Sequence, residues 1–598
     1  MDAKKTLALA VAATLSHAVS AEQTSPDETF VVTASRFEQP IDSVIAPLTI
    51  IDRQQIEQSA ANDLLDLLAA QPGIQIARNG GRGQTGAIFI RGAASNQSVV
   101  LLNGTRLNSA TNGTAQIGLL ALDLIERVEI VRGARASIYG ADVIGGVINI
   151  ITRPKTGTNQ LDLLLGAGSD DRYFGGVRAV RQIADTQLYL AANRDESKGY
   201  DFLPEDGASE RYGYESNNLQ LGLSSALTQE LSLDLSYLYQ KGEADFDANG
   251  RSLSEGRKHL VDAALEYRRS AWFSKLMLNY MDDRDKSTAP SWSSLYSTQR
   301  SQAHWLGGLQ LNPNWLLQAG AEWKEDDVSE SVAGFTDDKR INRAVHAGLM
   351  FEQGPYNAEL GLRYDDNSDY GSDTNYNLGA SAWLGDNWKI LALHSTAFRA
   401  PNFNELYNPW GGNPTLNPEK ATNYELGLQG HFSRFELSLN AYRNDIDDLI
   451  SVWPIENIGR ARITGVELDL GFETGSVDHR LIAEWMDPED RISGNQLARR
   501  AKEKLTWQTG VSIAKWQLNG EWLWRGKAYE DAANTIEIDA YQLLNLSARY
   551  LLKDNWSVDA KLHNLLDEEY TTALGFAPAH LPYLAPGRSF ELSTRYRF

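Results

Sequence analysis

Two acidic groups stand out in the chain: Asp201, Glu205, Asp206 and Glu210 share one short stretch, and Glu243, Asp245 and Asp247 fall in the next polar connection. Hard oxygen donors in that number can hold calcium. The segment Gly81-Arg-Gly-Gln-Thr-Gly86 has the G-x-G-x-x-G spacing of a phosphate cradle. Its context argues against that use. A phosphate loop must open a helix whose N-terminus faces the phosphates, whereas Ala87-Ile-Phe-Ile-Arg91 reads as a strand. The glycine-rich tip keeps another capability, because its free backbone N–H groups can touch a polar ligand. Stretches 78–85 and 108–114 both carry such chemistry, through Arg78, Asn79, Gly81, Arg82, Gln84 and Thr85 in the first and Asn108, Ser109, Thr111, Asn112 and Thr114 in the second. Tyr407 and Trp410, beside Asn408, add aromatic surface for the same ligand. Catalysis has no comparable footing: no nucleophile elbow, metal-ligand cluster or spaced acid pair stands out. The chain has no cysteine, which removes disulfides, thiolate metal sites and cysteine nucleophiles together. The residues point to binding, not to an enzyme.

The elements that must position these residues are strands of an unusual kind. In the last nine residues Phe590, Leu592, Tyr596 and Phe598 share one face, while Glu591, Ser593, Arg595 and Arg597 share the other. The same alternation runs through Leu231, Leu233, Leu235, Tyr237 and Tyr239, through Phe435, Leu437, Leu439 and Ala441, and through Trp556, Val558, Ala560 and Leu562. Repeated segments of roughly ten residues with one oily and one wet face mark a membrane β-barrel. Of the 598 residues 42% are hydrophobic, and the mean hydropathy is −0.38. No stretch reaches the roughly 18 apolar residues of a membrane helix, so any crossing is made by strands. A net charge of −22 makes nucleic acid an unsuitable partner. Fifteen Trp and 24 Tyr suit the interfacial girdles of a barrel. Lys4 and Lys5, the apolar run from Leu7 to Leu15, and small residues before Glu22 read as a signal peptide over 1–21.

Texture divides the rest in two. Residues 22–155 hold short strands, many glycines and one helical stretch, Ala60 to Ala70, that is stopped by Pro72-Gly73. Residues 156–598 carry the long alternating segments, enough for an antiparallel barrel of about 22 strands. A lumen that wide needs plugging. The expected fold class is an all-β membrane protein whose N-terminal α+β domain sits inside the barrel.

Three N-terminal segments carry a family resemblance: Phe89-Ile-Arg-Gly92, Leu101-Leu-Asn-Gly-Thr-Arg-Leu107, and the long run from Ile125 to Thr152 that includes Val131-Arg-Gly-Ala-Arg-Ala-Ser137. They resemble the plug domain of TonB-dependent outer-membrane transporters. Phe398-Arg-Ala-Pro401, Asn417-Pro-Glu-Lys420, Ile463-Thr-Gly-Val-Glu467, Asn564-Leu-Leu-Asp567 and terminal Phe598 resemble the same family's barrel motifs. Within the family, Phe30 to Pro40, Asn79 to Gln84 and Ala498 to Lys502 are most similar to the vitamin B12 (cobalamin) receptors.

The resemblance implies an active importer of cobalamin and related corrinoids in the Gram-negative outer membrane, with no covalent cofactor. Glu28, Thr29, Phe30, Val31, Val32, Thr33 and Ala34 are similar to the family's Ton box, an extended segment that a partner takes up as an added strand. The barrel has no nucleotide site and its membrane no ion gradient, so the implied energy source is TonB with ExbB and ExbD. Other implied partners are the barrel-assembly machinery, reading Phe598, a periplasmic B12-binding protein, and outer-membrane lipid with lipopolysaccharide around a monomer. The 78–85 and 108–114 tips would then face the amides of a corrin ring. Calcium in the acidic stretches is implied for B12 receptors, although Tyr212 and Gln240 stand where that pattern has carboxylates. Rival readings are a ferric siderophore receptor, a haem receptor and a passive porin or adhesin. No histidine lies between Phe398-Arg-Ala-Pro401 and Asn413-Pro-Thr-Leu416, where a haem receptor would carry one.

Overall fold

The computed structural model describes residues 31–32, 39–40, 43–155, 157, 159–204, 210–451, 454–575 and 580–598. Its barrel is closed: 22 antiparallel strands among the described residues follow one another around the ring, and Gln160–Gly168 pairs with the last strand, Ser589–Arg597. Closure leaves no free strand edge, which is what a membrane requires of a sheet. The strand Tyr356–Asn367 shows the side-chain logic. Leu360, Leu362 and Tyr364 are exposed, whereas Glu359, Arg363 and Asp365 are buried, the last two at 1% exposure. That is the inverse of a water-soluble domain, and it follows from oil outside and a polar filling within.

The two ends of the barrel differ. At one end the connections are short, as at 184–185, 313–314 and 514–515; at the other they reach 328–338, 400–418 and 564–588. Short turns belong to the periplasmic side and long loops to the outside. Trp272, Trp315, Trp388, Trp516 and Trp556 each begin a strand just after a short turn, and Trp315 and Trp516 pack on Phe351 and Tyr550 with ring centres 4.7 Å apart. These amphipathic rings form a girdle at the periplasmic interface.

Inside lies the plug. Its elements are β1 (Leu48–Asp52), α1 (Arg53–Gln58), α2 (Leu64–Ala69), β2 (Ile74–Arg78), β3 (Gly86–Ile90), β4 (Ser98–Leu102), β5 (Thr105–Arg106), β6 (Arg127–Arg132), α3 (Ala136–Tyr139) and β7 (Gly146–Ile151). One sheet has the order β1-β6-β7-β4-β5, with β4 and β7 parallel; β2 and β3 form a separate hairpin. Asp52 caps α1 in a reciprocal capping box with Gln55. The helix expected from Ala60 begins only at Leu64, because Asp63 serves as N-cap, its side chain accepting from the Asp66 N–H. Leu64, Leu65, Leu67 and Leu68 are all buried in the plug core.

Apolar contacts seat the plug on two stretches of wall, and Ala110 of the plug packs besides on Val328 and Phe403 of the outer loops. Its main core extends to Ala191, Leu238, Leu260 and Met281, and a second cluster joins plug residues Ala93, Ala136 and Ile144 to Phe398, Ile463 and Met486. The second seat also carries buried ion pairs. Arg91 reaches Glu425 at 2.9 Å and Glu467 at 2.8 Å, and Arg132 reaches Glu467 at 3.3 Å. Pairing of this kind is needed because an uncompensated charge in so dry a place would be strongly destabilising.

Candidate functional site

The β2–β3 hairpin lifts its tip, residues 79–85, toward the outer side, where Asn79 N–H closes the loop on the Thr85 carbonyl at 3.0 Å. Gly80 has φ +109°, and a Cβ there would lie 2.8 Å from the Phe202 ring. Only glycine meets both demands. The second tip, 108–114, is held by Asn108, whose buried side chain accepts from Val100 N–H and donates to the Ser98 and Gly113 carbonyls, each at 2.9 Å.

The tips meet the wall in one outward cavity of about 970 Å³. It is lined by Gln84, Thr85, Ser109, Thr111, Asn112 and Thr114 from the plug, with Gln240, Arg257, Lys258, Arg284 and Tyr296 among the wall residues. Thr85 and Asn112 are exposed to it. Two of the three wall cations are paired: Lys258 lies 3.2 Å from Asp283 and Arg284 lies 2.6 Å from Glu330. The surface is therefore rich in hydrogen-bonding groups with most of its charges paired, which suits a polar, amide-bearing ligand.

Other expected ligand residues are placed elsewhere. Arg78 is committed to Asp63 through two bonds of 2.9 Å, and Arg82 is paired with Asp195 over the Tyr214 ring. Burial opposes charge on Asp63, yet Arg78 and Arg82 hold its carboxyl below the ordinary value. Arg78, Gly81 and Arg82 line a different cavity, and Asn79 lines neither. Tyr407 ends a short helix, α4 (Phe403–Tyr407), and packs on Phe403; Trp410 is 75% exposed in the same outer loop. Neither aromatic residue borders the cavity between the tips. The wall residues Arg257, Arg284 and Tyr296 were not singled out from sequence, although the alternation of their strands carried the one usable signal.

The acidic residues form no group of three or more metal-ligating side chains among the described residues. Glu205 and Asp206 lie outside the described residues. Glu243, Asp245 and Asp247, expected in a connection, are the outer end of the strand Leu231–Asp247, since its ladder with Arg251–Arg268 runs to the last residue. Their parity opposes that of Gln240, Gly242 and Ala244, which line the cavity. Glu243 pairs with Lys241 at 2.7 Å and Asp245 with Arg251 at 2.7 Å, while Asp247 accepts from Gly250 N–H at 3.1 Å. Asp201 accepts from Leu203 N–H at 3.0 Å, and the buried Oε2 of Glu210 has no hydrogen-bond partner among the described residues. These described carboxylates do not fit a preformed calcium cage.

Of the Ton-box residues, Glu28, Thr29, Phe30, Thr33 and Ala34 lie outside the described residues, as does the signal-peptide segment. Val31–Val32 pairs antiparallel with Gln39–Pro40. Phe598 sits at the short-turn end, 67% exposed on the lipid-facing side, its ring edge-on to Tyr596 at 4.7 Å.

A closed 22-strand barrel whose lumen is filled by an N-terminal plug defines the class of plugged outer-membrane receptors. Residues 153–565 match the family described as "TonB dependent receptor-like, beta-barrel", and residues 40–147 match "TonB-dependent Receptor Plug Domain". The chain belongs to the TonB-dependent receptor family and resides in the bacterial outer membrane. It is 32% identical, over all of both chains, to proteins named "Vitamin B12 transporter BtuB" from Photobacterium profundum and Vibrio vulnificus. Solved structures share its fold: the siderophore receptor PirA from Acinetobacter baumannii (TM-score 0.80, 19% identity, 92% of this chain and 98% of that one) and a mutant of the ferric enterobactin receptor PfeA from Pseudomonas aeruginosa (TM-score 0.81, 19% identity, 95% and 100%).

Proposed function

We propose that this receptor binds cobalamin and related corrinoids at the cavity between the 78–85 and 108–114 tips and imports them with energy drawn from TonB. The observation that carries the reading is full-length identity of 32% to proteins named as vitamin B12 transporters. The hydrogen-bonding lining of the cavity supports it. The siderophore receptors among the solved structures are too distant in sequence to speak for the ligand.

In this reading ligand settles on Thr85, Asn112 and the wall around Tyr296, and binding favours a plug state in which the Ton box is available. A ligand can shift that balance only through its preference for one state. TonB, working with ExbB and ExbD, then takes the box as an added strand. A periplasmic B12-binding protein receives the ligand, and the barrel-assembly machinery and lipopolysaccharide account for insertion and surroundings. Tryptophan-fluorescence titration of the purified receptor with cobalamin, alongside a panel of ferric siderophores, tests the reading. Saturable quenching by cobalamin alone is expected; response only to a siderophore would replace cobalamin as the cargo.

A further inference from the structure

Two more cavities lie between plug and wall, both where the barrel closes on itself. One, of about 1410 Å³, is bordered by Asn62, Gly80 and Arg82 of the plug and reaches Tyr570 and Pro586 in the outermost loop. The other, of about 690 Å³, runs on to Glu57 and Asp123 of the plug and to Arg595, which lies three residues from Phe598 at the periplasmic end. They share Ala61, Asn62, Arg82 and Arg172, so they lie end to end along the plug as a candidate passage, with Arg82 and Arg172, both paired with Asp195, standing at the junction. The 79–85 tip fronts both this passage and the outer cavity: Gly83 to Thr85 face the latter, Gly80 to Arg82 the former.

The interface along this passage differs in kind from the two apolar seats. The apolar clusters that join plug to barrel contain no residue of the strands Gln160–Gly168, Arg172–Ile183, Tyr541–Lys553, Trp556–His563 or Ser589–Arg597 among those described. What crosses there is polar. Arg549 meets Glu57 at 3.0 Å, Arg595 meets Asp123 at 2.7 Å, and Lys561 donates to the Ala61 carbonyl at 3.0 Å. Water can replace such contacts when the surfaces part, whereas an apolar seat that opens exposes oil with no compensation.

We propose that these two cavities are the inner passage for the transported ligand: the plug parts from the wall along the polar seam, while its apolar seats hold. The proposal rests on the import reading above. Tyr200, Tyr541, Tyr570, Asn545 and Asn564 along the upper cavity would give an amide-bearing ligand successive hydrogen-bonding partners as it descends.

The absence of cysteine makes the test clean. Ser547 Oγ donates to the Gln58 carbonyl across the seam at 2.6 Å, and Ser137 Oγ lies 2.5 Å from Asn377 Oδ1 on the far face. Two double variants, Gln58→Cys with Ser547→Cys and Ser137→Cys with Asn377→Cys, are cross-linked with a short bis-maleimide in whole cells. Cobalamin binding and uptake are then compared with the uncross-linked variants. Expected is loss of uptake with binding retained for the seam link, and uptake retained for the far link. Uptake through a linked seam, or equal loss with both links, overturns the proposal. Hydrogen exchange of the purified receptor in dilute urea needs no ligand, so it separates this failure from failure of the cobalamin reading. Segment 53–66 is expected to exchange before 133–145, and the opposite order overturns the seam whatever the cargo.

Discussion

At the residue scale the plug is held by charges whose protonation can be followed. Burial raises the Glu57 carboxyl, but Arg53, Arg595 and Arg549 outweigh that effect and hold it down from 4.5 to about 2. A carboxylate depressed in the folded state stabilises it fully above the unfolded value and loses that contribution as pH falls through the folded value. Docking of α1 against the wall is therefore expected to weaken between about pH 4.5 and 2, read as faster hydrogen exchange in 53–58 with barrel strands unchanged. Glu57→Gln should remove that pH step and, because Arg53 and Arg595 keep Asp123 and Arg549 keeps Asp559, cost only about 1 kcal/mol of local stability. In the outer cavity, Thr85→Ala and Asn112→Ala should each weaken cobalamin binding by about 0.5–1.5 kcal/mol, the usual worth of one hydrogen bond, measured by the same fluorescence titration. Calcium is settled by chelation at fixed ionic strength. Because Glu243 and Asp245 already have cationic partners, no change in cobalamin affinity is expected; weakened binding would bring Glu205 and Asp206 into a site.

Elements carry the coupling between ligand and energy. Proline at Val31 removes an N–H that an added strand would use, so Val31→Pro is expected to abolish uptake while surface binding of cobalamin stays as in the parent. Near-normal uptake by this variant would remove the Ton-box assignment. Much of the element plan was legible in the chain. Alternation alone gave the lipid-facing and lumen-facing residues of strands such as Trp556–His563, and the strand after the glycine-rich tip was readable in Ala87 to Ile90. What alternation cannot give is commitment. Arg78, Arg82 and Asn108 look like ligand donors by type and place, yet each is spent on a partner, Asp63, Asp195 or the backbone around Val100, that only the folded arrangement supplies. Arg257, Arg284 and Tyr296 escaped for a related reason: they lie far along the chain from the tips they face, and parity tells which side a residue takes but not what stands opposite.

At the scale of the whole molecule, the barrel's last strand must find its first. Deleting Phe598 removes an exposed aromatic at the periplasmic end of that closing strand. Lower outer-membrane levels with unaltered affinity per assembled receptor are expected, measured by heat-modifiable mobility and by titration. The inverted side-chain plan, polar within and apolar without, also bears on how the chain travels. In a strand such as Tyr356–Asn367 every second residue is polar or small, so no window of it is oily enough to be held by machinery that recognises membrane helices. The nascent chain can thus be exported across the inner membrane as though it were an ordinary secreted protein. Its lipid-facing surface comes into being only when neighbouring strands pair, so the preference for a bilayer belongs to the assembled ring and not to any segment of the polypeptide.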